Sequence, residues 1–195
     1  MLDTRKKRKN LNVRQDVRKG MFVENLTEES ALNADKLIEC LTLGMRNRHV
    51  AETMMNRESS RSHSVYTISF AIKSECDGKQ VLKTPKLHFV DLAGSERQKM
   101  TMATGDRLKE AGNINKSLTT LGMVINALAS DKTRTHIPYR DSKLTCLLKD
   151  SLGGNSKTFI IATVATSILC FQETLSTLNF ANRAKMVKVK ALINE

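Results

Sequence analysis

Apolar residues recur along this chain at strand spacing and at helix spacing, and they lay out strands and helices in turn. A strand-like stretch falls at Leu11–Arg14. Asn33 is placed to cap a helix from Ala34 to about Asn47, with Leu37, Ile38, Leu41 and Met45 on one face. Val65–Ile72 alternates, with Tyr66, Ile68, Phe70 and Ile72 on one side, as in a half-buried strand. Asp77-Gly78 is a hairpin signal leading to another strand. Leu87–Val90 reads as a further strand. Leu118, Leu121, Ile125 and Leu128 predict a helix over Asn115–Ala129, which Asn115 would cap. Asp141 is placed to cap a helix through Leu152, ended by Gly153-Gly154. Phe159–Val164 is continuously apolar, the pattern of a central strand buried on both faces. A last helix is predicted over Phe171–Val187, with Phe171, Leu175, Leu178 and Ala181 facing in. Strands and helices mix, so the fold class is α/β.

Two phrases carry candidate chemistry. Asn-Arg-Glu-Ser-Ser-Arg-Ser-His occupies Asn56–His63, and Val-Asp-Leu-Ala-Gly-Ser-Glu-Arg occupies Val90–Arg97. The second places D-x-x-G at the end of a predicted strand, an arrangement suited to a nucleotide switch. An Asp at a strand end reaches Mg²⁺ through water, and a Gly three residues on lets a backbone N–H close on a terminal phosphate. Ser59 and Ser60 supply adjacent hydroxyls for metal and phosphate. Arg61 supplies a partner for Glu96 across the site. Taken singly, these are the residues of ordinary loops and turns; the two phrases together favour function.

These residues resemble the switch I and switch II loops of the kinesin motor domain. Asn113–Leu118, Tyr139–Leu144, Asp150–Gly154 and Glu173–Lys185 continue the likeness in the family's order, from about Leu11 to Lys188. The wording at Arg97–Lys99, Leu108–Asn115 and Leu178–Lys185 is most similar to the mitotic kinesins of class twelve. The resemblance implies part of a P-loop NTPase fold of kinesin type, a mixed central sheet flanked by helices. It implies a partial motor domain over residues 1–188, with 189–195 opening the neck linker. The implied function is a microtubule-binding, ATP-dependent motor, placed in the cytoplasm on the microtubule cytoskeleton and its spindle.

The same resemblance assigns roles. Asn56, Ser59, Ser60, Asp91 and Gly94 would bind ATP, with Ser60 and Asp91 holding Mg²⁺. Arg61, Glu96 and Gly94 would serve hydrolysis, the first two as an ion pair that closes the site and positions the attacking water. His63 reads as a structural hydrogen-bonder rather than a base. Arg97, Lys116, His136, Arg140 and Lys143 would face the acidic surface of tubulin. Cys146 and Gly112 stand where many or some kinesins carry a basic residue, and Thr163–Ser167 departs from the family's usual Ser-Pro turn. A phosphate-binding G-x-x-x-x-G-K-[ST] is missing. Gly153–Thr158 fails that pattern because Ser156 precedes the Lys and an apolar strand follows. The stretch is therefore expected to correspond to the C-terminal part of a motor domain, without turnover of its own.

Composition narrows the alternatives. A net charge of +12 favours an acidic partner. Aromatics at 4% and no Trp count against a stacking platform for nucleic acid, so a basic nucleic-acid binder ranks behind a non-catalytic microtubule binder. The run Arg5–Lys9 reads as a solvated loop rather than a nuclear signal. No run approaches the roughly 18 apolar residues of a membrane span. The N-terminus lacks a signal-peptide core. Cys40, Cys76, Cys146 and Cys170 are too widely spaced for zinc and read as free thiols of a cytosolic protein. Dimerisation is expected from regions outside this chain, since no heptads are sustained near its end.

Overall fold

Asn33 opens the first helix as its sequence position predicts. Its Oδ1 accepts the Lys36 backbone N–H at 2.9 Å, satisfying a donor of the first turn. The computed structural model describes residues 1–3, 11–16, 20–55, 62–76, 78–94, 106–130 and 136–189. Within them the order is β1 (Val13–Asp16), β2 (Gly20–Val23), α1 (Ala34–Met55), β3 (Ser64–Ser69), β4 (Ile72–Cys76), β5 (Lys79–Lys83) and β6 (Lys86–Asp91). Then follow α2 (Asp106–Ala129), a 3-10 turn (Tyr139–Asp141), α3 (Lys143–Leu147), a second 3-10 turn (Ile168–Cys170) and α4 (Phe171–Lys185). The chain is α/β, and its described strands pair as β1–β2, β3–β6 and β4–β5. It forms two compact units, one built mainly of Val23–Gly94 and the other mainly of Ser95–Ile193.

In the first unit, β3 and β6 run antiparallel with Ser64 opposite Asp91 and Ser69 opposite Lys86. β4 and β5 form a second antiparallel pair, with Cys76 opposite Lys79. The predicted hairpin thus stands, with Gly78 at φ +74°, where a side chain would strain the backbone. The single strand expected over Val65–Ile72 is broken at Phe70–Ala71: the Phe70 N–H still donates to the Pro85 carbonyl at 2.9 Å, but Pro85 has no N–H to return and the ladder stops there. Helix α1 outruns its expected end at Asn47, and its covered stripe is rotated. Leu37, Cys40, Leu41 and Gly44 are covered, whereas Ile38 and Met45 are exposed. The Tyr66 hydroxyl fastens β3 to α1 by donating to the Leu37 carbonyl at 3.2 Å.

The second unit holds the principal apolar cluster. Leu121, Val124 and Ile125 of α2 pack with Leu144, Leu148 and Leu152, and Phe180, Ala184 and Val187 close over them. Helix α2 begins nine residues before Asn115, so Asn115 lies within the helix and is not its cap. The capping role expected of Asp141 belongs to Ser142, whose Oγ accepts the Thr145 N–H at 3.1 Å. Helix α3 proper stops at Leu147, and turns carry the chain to Gly153 at φ +109°.

Two expectations fail here for one reason. Phe159–Val164 joins no other strand among the described residues and stands exposed. On α4, Phe171, Leu175 and Leu178 are exposed, while Phe180 and Ala184 face the core. Both apolar surfaces need neighbours that the described residues do not supply.

Candidate nucleotide-switch site

The D-x-x-G corner is built where β6 ends. Asp91 closes the β3–β6 register, so its carboxylate lies beside the start of the strand that leads out of the Ser-rich phrase. Arg48 reaches the same corner from α1. Its Nη1 donates to Asp91 Oδ2 at 2.7 Å and to Ser64 Oγ at 3.0 Å, and its Nη2 donates to the Ser62 carbonyl at 3.0 Å. The Arg48 side chain is only 20% exposed, against 69% for Asp91, so the fork is fixed on the protein side and the carboxylate opens to solvent. A rigid planar guanidinium suits this task, since it holds three acceptors on two strands at once.

His63 makes the second tie. Its Nδ1 accepts the Ala93 backbone N–H at 2.9 Å, and Ala93 is buried. The ring proton therefore sits on Nε2, and the bond holds the backbone one residue before Gly94. Burial lowers the His63 pKa below its usual value, and the Asp91 charge opposes that only in part. The sequence reading of His63 as a structural hydrogen-bonder agrees with this geometry.

A pH effect follows. The folded state disfavours protonated His63, so the unfolded chain binds more protons below the ordinary His pKa of about 6.5. Stability from this group is present above that value and is lost as pH falls below it. The urea midpoint is expected to drop further between about pH 7.5 and pH 5.5 in the parent than in His63→Asn, whose Oδ1 replaces the acceptor without titrating. Equal drops would show that His63 carries no such linkage.

Of the residues expected in the site, the structure brings Asp91 and Gly94 together with His63. Asn56, Ser59, Ser60, Arg61 and Glu96 lie outside the described residues. Sequence reasoning missed Arg48. Its signal was a charged residue continuing the covered stripe of α1 after Leu37, Leu41 and Gly44, where only a paired charge is tolerated.

The expected track-facing residues lie in the second unit, Arg97 excepted, which falls outside the described residues. Lys116 on α2, His136, Arg140 in the 3-10 turn and Lys143 opening α3 are all exposed. Leu144 and Leu148 are buried on the opposite side, so α3 turns its apolar residues inward and its charge outward. Thr145, fully buried, donates from Oγ1 to the Tyr139 carbonyl at 2.8 Å, and the Tyr139 hydroxyl donates to the Leu152 carbonyl at 2.9 Å. Burial raises the Tyr139 pKa, with the Asp150 charge adding to it, so the phenol stays a donor. Among the described residues no group of His, Cys, Asp or Glu is arranged to hold a metal on its own. Nor is any described helix long and apolar enough to cross a membrane. Cys40, Cys146 and Cys170 are free thiols.

The kinesin motor-domain family model matches residues 1–187. The chain belongs to the kinesin motor-domain family. The kinesin-like protein KIN-12G of Oryza sativa subsp. japonica is 57% identical over 188 residues, which are 95% of this chain and 15% of that protein. The kinesin-like protein KIF15 of Strongylocentrotus purpuratus is 56% identical, again over 95% of this chain and over 13% of its own length. These names agree with the likeness to class-twelve kinesins. This chain thus spans about a seventh of such kinesins. Among solved structures, a fast kinesin superposes with a TM-score of 0.82 at 45% identity, over 95% of this chain and 51% of its own. A KIF14 dimer with AMP-PNP in complex with a microtubule gives 0.82 at 43%, over 95% and 52%. The fold is therefore that of the kinesin motor domain.

Proposed function

We propose that this chain is the switch- and track-binding part of an ATP-dependent kinesin motor that moves along microtubules. The observation that carries this reading is the corner at the end of β6. There Asp91 and the backbone before Gly94 are tied to the strand that leaves the Ser-Ser-Arg-Ser-His phrase, in a chain that the kinesin motor model matches throughout residues 1–187. In this reading Gly94 offers its N–H to the terminal phosphate, Asn56, Ser59 and Ser60 contact the nucleotide, and Arg61 pairs with Glu96 to hold the attacking water. Residues 1–188 form the motor part, and 189–195 begin the neck linker.

Ser60 and Asp91 would hold Mg²⁺. Asp91 fits that ion, since it is a hard oxygen donor open to solvent, and Mg²⁺ keeps several waters while taking one or two carboxylates. The ion would neutralise charge on the phosphate oxygens. The KIF14 structure's AMP-PNP and microtubule support nucleotide and tubulin as ligands here. The microtubule cytoskeleton, with the spindle as its mitotic form, is then the place of action. Dimerisation would use segments outside this chain. A second reading is a microtubule binder that keeps the track surface without turnover.

Both readings put Lys116, His136, Arg140 and Lys143, with Arg97, against tubulin, and cosedimentation tests them. The Debye length falls from about 10 Å at 0.1 M salt to about 3 Å at 1 M, so binding should weaken steeply across a salt series. Arg140→Ala with Lys143→Ala should weaken it by about threefold to thirtyfold, the range for two exposed ion pairs, and flatten the salt slope. The same affinity and slope in the double variant would exclude these two residues. Equal affinity for duplex DNA and microtubules would turn the reading toward simple polycation binding.

A further inference from the structure

Two prolines occur in this chain, Pro85 and Pro138. Pro138 follows Ile137, whereas Pro85 follows Thr84, so Thr84-Pro85 is the sequence's one hydroxyl side chain set directly before a proline. The pair lies on a link between strands of different ladders. The β4–β5 ladder ends at Lys83, and the β3–β6 ladder takes up the chain at Lys86. Thr84 is exposed, and neither ladder has to open for its hydroxyl to be reached. Pro85 brings no N–H and holds the residue before it in extended backbone. The Pro85 carbonyl accepts the Phe70 N–H at 2.9 Å, a bond that anchors the link beside the threonine and leaves its side chain out. Lys83 stands before Thr84 and Lys86 stands after Pro85, and their register partners, Ile72 and Ser69, carry no charge.

We infer that Thr84 is a phosphorylation site for a proline-directed protein kinase, with ATP as the phosphoryl donor. A kinase cleft that offers no partner to the backbone N–H after the acceptor rejects every residue but proline there, because an N–H buried without a partner costs binding. An exposed threonine held extended before a proline meets that requirement as it stands. In the transfer, Thr84 Oγ1 bonds to the γ-phosphorus of ATP. The bond from that phosphorus to its bridging oxygen breaks, its electron pair leaves on ADP, and the hydroxyl proton passes to the catalytic carboxylate of the kinase. The product sets up to about two negative charges between two ammonium groups, so the new charge is balanced locally rather than repelled. At about 3.3 Å per residue, β6 from Lys86 to Asp91 spans about 16 Å, beyond the Debye length of about 8 Å at physiological salt. The phosphate therefore marks the first unit and is largely screened from Asp91. The inference uses none of the nucleotide or track residues and does not rest on the functional reading.

The test incubates the whole chain with ATP and a purified proline-directed kinase. Intact mass reads the phosphoryl groups added per chain, and peptide fragmentation reads their position. One group on Thr84 is expected. Thr84→Ser should be labelled at the same position, and Thr84→Val should lose that label. Pro85→Ala should slow labelling by about tenfold to a hundredfold, the discrimination that one unpaired buried N–H provides. Because the Thr84 side chain is exposed, the thermal melts of its two variants should match the parent's, so a lost label reports the acceptor and not the fold. Undiminished labelling of Thr84→Val, or equal rates for Pro85→Ala and the parent, would overturn the inference. So would the absence of the Thr84 phosphopeptide from tagged chain recovered from eukaryotic cells treated with a phosphatase inhibitor. Microtubule cosedimentation depends on Arg140 and Lys143 instead. A failure there would count against the functional reading and leave the labelling result standing.

Discussion

In a motor of full length that joins this segment to a phosphate-binding loop, Glu96→Ala is expected to lower kcat by about a thousandfold, and Arg61→Ala by a similar factor. Phosphoryl transfer depends on positioning and charge more than on covalent chemistry, so a group that closes the site around the attacking water carries a large share of the rate. The two residues carry opposite charges and belong to the two different sequence phrases. The bond from the Ala93 N–H to His63 Nδ1, at 2.9 Å, joins a residue two positions after Arg61 to a residue three positions before Glu96. If they act as a pair, the double substitution should cost little more than the worse single one. Losses that add in log kcat would show two independent roles.

Gly153→Ala is expected to destabilise the second unit by about 2–4 kcal/mol in urea unfolding. Gly153 sits at φ +109°, outside the range that L side chains adopt readily. An added Cβ would also lie 2.8 Å from Leu128 Cδ2 at the end of α2, so the tip of that side chain would have to move. The two causes separate in a cycle. On a Leu128→Ala background the clash is gone and the backbone strain remains, so the same Gly153 substitution should cost less there. An equal cost in both backgrounds would mean that the neighbouring leucine yields freely and strain alone is responsible.

Local signals were read correctly where the cause is local. Asn33 caps α1 because its side chain is short and a free N–H lies three residues on. Gly78 turns its hairpin, and Asp91 ends its strand, for reasons that two or three residues contain. The misreadings have non-local causes. Ile38 and Cys40 are both apolar, and which of them is covered depends on what packs against the helix from elsewhere in the chain. Asp141 and Ser142 are both good caps, and Ser142 takes the role because its Oγ reaches the Thr145 N–H. Phe159–Val164 has the composition of a buried strand, but a pattern of residues states what a segment needs and not whether its neighbours are present. Within the site, the D-x-x-G aspartate was legible, whereas its protein partner Arg48 was not. The separation of 43 positions between them carries no local signature, and only the covered stripe of α1 hinted at it.

Thr145 and Tyr139 hold the polypeptide around α3 from within, through bonds to the Tyr139 and Leu152 carbonyls, while Arg140 and Lys143 are exposed. Drift of sequence can therefore act on the two sides at different rates. A change at Thr145 is selected through folding, whereas the exposed positions Arg140 and Lys143 are under far less constraint from packing. If that surface grips tubulin as proposed, its strength can be reset one residue at a time without refolding the scaffold.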